Sequence, residues 1–259
     1  MNILAFFAHP DDETMLCGGT LALLARQGAT ITLLCATRGE GGENGEPPVC
    51  SRDALGAVRS QELICAGQAL GLAQVEFLNY IDPTVGPDNT LYPFTDDETF
   101  LTGQVLAMIQ RTQAGALISH GSNGEYGHPA HQLCHRAAQA AVKALGASAP
   151  LFYTIQAAYA GHPRERLMNA ADPAHLVLDC SEVLAEKTAA AVCHVTQHAL
   201  FIRNTSRELG RTVTVPEVIR TEESLHRAYP PVQDGQGVED DLAGLLLRSK
   251  AVLPLPPAV

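Results

Sequence analysis

Short apolar runs alternate with segments of helical periodicity along the first part of the chain. The predicted strands are residues 2–8, 30–36, 75–78 and 114–119. The predicted helices are residues 14–27, 53–70, 97–111 and 129–145. Strands that alternate with helices indicate a parallel sheet with right-handed crossovers and helices on both of its faces. We therefore predict an α/β fold of the Rossmann-like, doubly wound type with a mostly parallel sheet.

The pattern is less regular in the second part of the chain. The further elements predicted there are strands at 151–155 and 175–178 and helices at 181–195 and 197–209. From Tyr229 onward, prolines, glycines and acidic residues are typical of loops. We therefore assign residues 1–228 to one domain and residues 229–259 to a C-terminal extension that is partly loop.

Composition narrows the classes of function. Hydrophobic residues make up 46% of the chain and charged residues 17%, as in ordinary globular proteins, and no apolar run is long enough to span a membrane. The first residues lack the basic region of a signal peptide, so we expect a cytoplasmic protein. The net charge of -11 opposes binding to nucleic acid and anionic membranes. A neutral or cationic small molecule is the expected partner, and a homo-oligomer is compatible with the sequence.

The cysteines are odd in number and widely spaced, without a C-x-x-C pair. We predict that they are reduced core residues and do not form a disulfide framework. A structural zinc site would need cysteines at close spacing. Any metal site must therefore come from histidine and aspartate.

A run of metal-binding residue types follows the first predicted strand, namely His9, Pro10, Asp11, Asp12 and Glu13. Open parallel sheets collect ligand-binding groups at the carboxyl ends of their strands. Histidine and carboxylate are good zinc ligands, and one of two adjacent aspartates can bind the metal while the other acts on a water molecule. Acidic residues also stabilise helix N-termini, so capping is an alternative role for this run.

A second run of such residues, 121–131, follows the fourth predicted strand. In the common doubly wound order, strands one and four are neighbours, so we expect His9 and His131 to meet. His128 and His131 face the same side at the start of a helix, although His131 and His135 form a competing pair. The conjunction of this run with the first favours a metal site.

A glycine-rich loop, residues 37–46, is expected after the second strand. It lacks the G-x-G-x-x-G spacing, and its glutamates would repel phosphate, so we do not expect dinucleotide binding. Such a loop either contacts substrate at the rim of a pocket or is a solvated connection.

Four segments together resemble the LmbE-like, PIG-L deacetylase family. They are A-H-P-D-D-E at 8–13, T-R-G-E at 37–40, R-S-Q-E at 59–62 and G-H-P-A-H at 127–131. The resemblance covers the part of the chain up to the region of residue 160. It implies a Rossmann-like fold and a zinc-dependent N-deacetylase, a hydrolase that acts on an amino-sugar conjugate of the N-acetylglucosamine type.

The resemblance also implies the roles of individual residues. The implied zinc ligands are His9, Asp12 and His131. The implied catalytic residues are Asp11 as general base, with Tyr126 and His128 beside the reacting carbonyl. Three ligands leave zinc an open position for water, and removal of one oxyanion donor typically costs about a hundredfold or more in rate. The predicted contacts with the sugar or its conjugate are Arg38, Arg59 and Asp82.

Ala130 departs from the family pattern, which often has an aspartate between the two late histidines. A carboxylate there would raise the pKa of His128 and favour its imidazolium form as a general acid. Either another carboxylate such as Glu125 substitutes, or the pH dependence of the rate is shifted. We predict a basic limb at lower pH than in relatives with the aspartate.

Two alternatives to the N-deacetylase remain open. One is a zinc amidase that acts on a larger conjugate. The other is a non-catalytic Rossmann-like binding module. The set of His9, Asp11, Asp12 and His131 argues against the binding module, since a binder has no need of a spare carboxylate beside a metal. Metal analysis discriminates between them, because a lack of stoichiometric divalent metal would favour the binder.

Overall fold

An eight-stranded sheet forms the framework of the protein in its computed structural model, which describes residues 1–233 and 237–255. The strands are β1 (Asn2–Phe7), β2 (Thr30–Thr37), β3 (Gln74–Tyr80), β4 (Ala116–Ser119), β5 (Leu151–Ile155), β6 (Ala157–Ala158), β7 (Asn169–Pro173), β8 (Leu176–Asp179), β9 (Glu222–Tyr229) and β10 (Val252–Leu253). The helices are α1 (Asp12–Arg26), α2 (Leu55–Ala69), α3 (Glu98–Thr112), α4 (Gly124–Gly127), α5 (Pro129–Leu145), α6 (Leu184–Cys193), α7 (His198–Leu209), α8 (Val215–Val218) and α9 (Asp241–Arg248). In these described ranges, no helix is long and apolar enough to cross a membrane.

The strand order of the main sheet is β10-β8-β9-β5-β4-β1-β2-β3, and β6 pairs separately with β7. Strands β1 to β5 are parallel to one another. The pairs β5–β9, β9–β8 and β8–β10 are antiparallel. The predicted fold class is confirmed, and so is the adjacency of the first and fourth strands. Their carboxyl ends therefore open onto one place at the point where the strand order reverses.

Alternate side chains of β1 belong to two hydrophobic clusters, because successive strand residues point to opposite faces of a sheet. Ile3 and Phe7 pack in the cluster that contains buried residues of α1, α2 and α9. Leu4 and Phe6 pack in the cluster built on α3 and α5. Both faces of the strand are buried, which explains its uninterrupted apolar sequence.

The C-terminal extension contains more regular structure than predicted. Residues 241–248, to which no element was assigned, form α9, whose N-cap Asp240 accepts a hydrogen bond from the Ala243 N–H at 2.9 Å. Leu242 and Leu246 are fully buried in the core, so an apolar stripe beside an acidic cap was the signal for this helix. Residues 234–236 and 256–259 of the predicted extension lie outside the described residues. The division at residue 228 stays a prediction.

Two of the seven cysteines form a disulfide, so the prediction that all are reduced is wrong. Cys65 of α2 and Cys193 at the end of α6 are joined with Cα atoms 5.8 Å apart. Their sequence separation is 128, and only the packing of α2 on α6 brings them together, which no spacing pattern reveals. Cys17 and Cys35 are among the buried thiols that are free, as predicted. Disulfides are rare in the cytosol. The predicted cytoplasmic location stays a prediction.

Helix α1 is held by a buried carboxylate from β9. The helix is interrupted at Cys17, which has φ -152 and ψ 22. Just beyond, the N–H groups of Gly19 and Thr20 donate to the two oxygens of Glu223 at 2.8 and 2.6 Å. Lys187 of α6 also donates to Glu223 at 2.6 Å. The antiparallel part of the sheet thus fixes the helix whose first turn carries Asp12 and Glu13 of the predicted metal-binding motif.

Candidate metal centre and active site

The two predicted motifs meet at the carboxyl ends of β1 and β4. The chain leaves β1 into the segment that contains His9 and enters α1 at Asp12. It leaves β4 into the 120–127 segment and enters α5 at Pro129, with His128 as the N-cap. Since β1 and β4 are paired, the two segments face each other at the point where the strand order of the sheet reverses.

The predicted metal ligands, His9, Asp12 and His131, are buried and lie close together here. A fourth buried side chain that could donate a ligand atom to a metal, His120, lies beside them. Asp12 Oδ1 lies 3.3 Å from His131 Nε2, and Asp12 Oδ2 lies 3.4 Å from His9 Nδ1. The Asp12 carboxylate also accepts the His9 N–H at 2.9 Å. The fourth donor, His120, was missed by sequence reasoning, and its Nε2 lies 3.4 Å from Asp12 Oδ2. A histidine at the carboxyl end of the strand beside β1 was the signal that could have found it.

Among the described residues, two sets of three place their potential ligand atoms within 4.8 Å of one another. One consists of His9, His128 and His131, and the other of Asp12, His120 and His131. His131 belongs to both. The predicted trio overlaps each set without coinciding with either, so proximity alone does not decide the ligands.

Glu125 determines which imidazole nitrogen is free. Its Oε2 lies 2.6 Å from His131 Nδ1 and 2.9 Å from His120 Nδ1. Burial raises the pKa of Glu125, but His120 and His131 outweigh this effect and hold the pKa well below its usual range. Glu125 is therefore a carboxylate, which accepts hydrogen bonds and cannot donate them. Each Nδ1 therefore carries a proton, and in the neutral imidazole each Nε2 has a lone pair.

The two lone pairs are used differently. The Nε2 of His120 accepts a hydrogen bond from the Ala8 N–H at 3.1 Å. That of His131 is buried and has no hydrogen-bond partner among residues 1–233 and 237–255. A buried polar atom without a partner is costly and rare, whereas a metal ion would satisfy it. The chemistry of the donors thus fits a metal at His131 and makes His120 a supporting residue.

Asp11 is held in an unusual backbone conformation beside this centre. Its φ of 116 and ψ of -25 lie in a backbone region that residues other than glycine rarely adopt. Arg59 Nη2 lies 3.3 Å from Asp11 Oδ2. Burial raises the pKa of Asp11 to about 6, although the Arg59 guanidinium opposes the rise. A carboxyl group with such a pKa can take up and release a proton near neutral pH.

His128 and Tyr126 stand beside His131. The His128 ring stacks on the His131 ring with centroids 4.5 Å apart, and the Tyr126 ring meets both edge-on. Burial, together with the neighbouring His131 and His9, lowers the pKa of His128 to about 2. Desolvation and the charges of nearby aspartates raise the pKa of Tyr126, so its hydroxyl remains a donor.

Glu125 does not take the place of the missing aspartate beside His128. Its carboxylate contacts His120 and His131, as described above, while His128 Nδ1 accepts the Ala130 N–H at 3.2 Å. The Nε2 of neutral His128 therefore carries the proton. The imidazole is a hydrogen-bond donor at neutral pH, not an imidazolium acid.

Two of the three predicted substrate contacts, Asp82 and Arg59, touch residues of the first motif. Asp82 Oδ1 is 3.3 Å from His9 Nε2. Arg59 is buried and donates to the carbonyl oxygens of Gly39 and Pro10. Arg38 is less buried and donates to the Asn79 side chain. Their contact with substrate stays a prediction.

A further histidine from the second half of the chain reaches the motif. His194 Nε2 lies 3.0 Å from Glu13 Oε1, although 181 residues separate the two in sequence. Sequence reasoning missed His194, because a single histidine at a helix end has no spacing that marks it.

The comparisons with known proteins agree with this geometry. A family model described as GlcNAc-PI de-N-acetylase, PIG-L, matches residues 4–142. A relative from Mycolicibacterium gilvum (strain PYR-GCK) is 30% identical over 280 residues, which cover 95% of this chain and 99% of the relative. That relative is named 1D-myo-inositol 2-acetamido-2-deoxy-alpha-D-glucopyranoside deacetylase.

Solved structures of low sequence identity share the fold. The N,N'-diacetylchitobiose deacetylase from Pyrococcus horikoshii has a TM-score of 0.59 at 17% identity, covering 87% of this chain and 82% of its own. GalB, the 4-carboxy-2-hydroxymuconate hydratase from Pseudomonas putida KT2440, has a TM-score of 0.61 at 23% identity, covering 91% and 99%. Because this fold supports more than one chemistry, the structural likeness does not identify the reaction.

The family follows from the sequence match together with the site. The matched residues 4–142 are more than half of the 259-residue chain and include both motifs of the centre. The full-length relative extends the match over the remainder. The family resemblance predicted from the motifs is confirmed, and the chain belongs to the PIG-L, or GlcNAc-PI de-N-acetylase, family.

Proposed function

We propose that the protein is a zinc-dependent hydrolase that removes the N-acetyl group from an amino-sugar conjugate of the N-acetylglucosamine type. The names of its relatives as deacetylases of such a conjugate support this proposal. The observation that carries it is the unsatisfied Nε2 of His131, which faces the Asp12 carboxylate. The Asp11 carboxylate, beside Arg59, lies outside the proposed ligand set.

We propose His9, Asp12 and His131 as the ligands. All three are buried, and Asp12 lies between the two histidines. Histidine nitrogen and carboxylate oxygen suit zinc, and three protein ligands are typical of a catalytic site. A bound zinc ion supplies an electrophile for the acetyl carbonyl and lowers the pKa of a water molecule towards about 7.

The proton-transfer step falls to Asp11. As a carboxylate it accepts the proton of the attacking water, and its raised pKa makes it a stronger base than an ordinary aspartate. The same proton must reach the departing amine, and protonated Asp11 can deliver it. This role is supported by the neutral state of His128, which removes the alternative imidazolium acid.

The negative charge that develops on the carbonyl oxygen requires hydrogen-bond donors to stabilise it. We propose the Tyr126 hydroxyl and the Nε2–H of His128, which stand beside His131. Donors that are already oriented stabilise a developing oxyanion without reorganisation during the reaction. For the sugar or its conjugate we propose contacts with Arg38, Arg59 and Asp82, while the Asp11 contact of Arg59 supports an additional role in orienting the base.

Amine release from acetylated conjugates tests the proposal. We expect the purified protein to contain a divalent metal and to release amine from N-acetylglucosaminyl-inositol or N,N'-diacetylchitobiose. A chelator should abolish release, and added zinc should restore it, because the electrophile is lost and regained. Preference for a larger amide would favour the amidase alternative, and protein with neither metal nor turnover would favour the binding module.

Replacement of Glu125 should weaken the metal site. In Glu125→Gln we expect zinc affinity to fall about 10- to 100-fold, as for other groups that hold a metal-bound histidine by hydrogen bonding. The reason is the loss of the carboxylate that fixes the proton on His131 Nδ1. Competition with a chromophoric chelator measures the affinity. Glu98→Gln, at a carboxylate paired with Arg136 on the surface, is the control, and equal affinities in both variants would contradict the role.

A further inference from the structure

The backbone of Asp11 requires support from its surroundings. Its φ of 116 lies in the left-handed region, where an aspartate is strained. Such a conformation persists only where neighbouring groups hold it, and it often occurs at functional sites. Because Asp12 follows directly, this conformation sets how the Asp11 and Asp12 side chains are directed relative to each other.

Glu13 supplies part of that support. Its Oε2 accepts the Asp11 N–H at 3.0 Å, so the strained residue is tied to a side chain two positions along. The Glu13 carboxylate is buried, and its Oε1 accepts a hydrogen bond from the Thr14 hydroxyl. Its orientation therefore controls the peptide group at Asp11.

His194 fixes Glu13 from the opposite side. His194 Nε2 lies 3.0 Å from Glu13 Oε1, and the imidazole is fully buried. A carboxylate only accepts, so Nε2 carries the proton. Nδ1 of His194 is buried without a partner in the part of the chain that the structure describes. A histidine present only for core stability would be expected to have both nitrogens satisfied.

The segment that carries His194 is anchored on α2. The neighbouring Cys193 is bonded to Cys65 of that helix. Thr196 donates from its N–H and its hydroxyl to the Glu62 carboxylate at 2.8 and 2.6 Å. The same helix provides Arg59, the cation at the Asp11 carboxylate. Helix α2 thus supports Asp11 at its side chain and, through the 193–196 segment, at its backbone.

We propose that His194 is a positioning residue for Asp11, which it orients through Glu13. The proposal rests on the proposed role of Asp11 as the base. It assigns a function in the reaction to a residue outside the part of the chain matched by the family model, which ends at residue 142.

Kinetics of His194 variants test the proposal in the disulfide-bonded protein. We expect His194→Leu to lower kcat about 10- to 100-fold, the range found for groups that orient active-site residues, with KM and zinc content unchanged. His194→Gln should recover most of kcat, because its amide N–H can donate to Glu13. His198→Leu is the control, since the His198 ring nitrogen Nε2 contacts the Val192 carbonyl oxygen at 3.0 Å, and the kcat of this variant should equal that of the parent.

A double variant separates positioning from a merely structural role. Because His194 is proposed to act through Asp11, adding His194→Leu to Asp11→Asn should cause little further loss of kcat. A further loss as large as in the parent would overturn the proposal, as would an unchanged kcat in His194→Leu. Should His194→Leu not fold, a folded His194→Gln with kcat far below the parent would also overturn it. Full activity of Asp11→Asn would instead refute the proposed base.

Discussion

Asp11→Asn is expected to lower kcat/KM about 10²- to 10⁴-fold, the contribution typical of a general base. The amide cannot accept the proton of the attacking water, while it has nearly the same shape and can still lie beside Arg59. Metal content should remain, because the proposed ligands are His9, Asp12 and His131. Steady-state kinetics with metal analysis of the same preparation measures both quantities. Full activity would refute the base, and loss of metal would show that Asp11 is itself needed for the site.

The pH profile provides the control for that variant. Burial raises the pKa of Asp11 to about 6, and only the ionised form accepts a proton, so kcat/KM of the parent should fall as the pH drops through this range. A bound cation favours the carboxylate and moves the limb to lower pH, which makes about 6 its upper limit. The residual activity of Asp11→Asn should lack the limb. Asp96→Asn, at an exposed aspartate, should keep it.

The parallel half of the fold can be predicted because its strands are apolar runs buried in the sheet. Predicted strand 151–155 coincides with β5, and predicted helix 129–145 coincides with α5. The strand β9 escapes this reasoning because its buried residues include Glu223 and Ser224, which are 2% and 1% exposed. The carboxylate is accepted inside because Gly19, Thr20 and Lys187 satisfy it. A search for apolar runs therefore passes over a central strand.

The same distinction applies to the candidate site. Within each of the two motifs the residues are adjacent in sequence, and the motifs follow two neighbouring strands. The meeting of the two motifs could therefore be predicted from the topology of the sheet. The residues that hold them could not. Glu125 lies within the second motif, but its choice of His120 and His131 over His128 depends on the turn before α5. The role of His194 depends on the packing of α6 against α1 and α2, which no local pattern records.

The largest expected effect on stability comes from the carboxylate that holds α1. Glu223→Ala should lower the free energy of unfolding by about 3–5 kcal/mol, because it leaves the buried Lys187 ammonium without its partner. The N–H groups of Gly19 and Thr20 lose their acceptor in the same variant. Urea denaturation of the disulfide-bonded protein measures the difference.

Glu223 connects α1 with Lys187 of α6, and a surface ion pair between these two helices is the matched control. Arg26 of α1 pairs with Glu186 of α6, and their side chains are 49% and 27% exposed. Glu186→Ala should cost about 1 kcal/mol or less, because water screens such pairs and solvates the remaining charge. The comparison separates a link between α1 and α6 from the burial of the charge. Equal losses in the two variants would mean that Lys187 and the α1 amides are solvated once Glu223 is removed, and that the carboxylate does not fix the helix that carries Asp12.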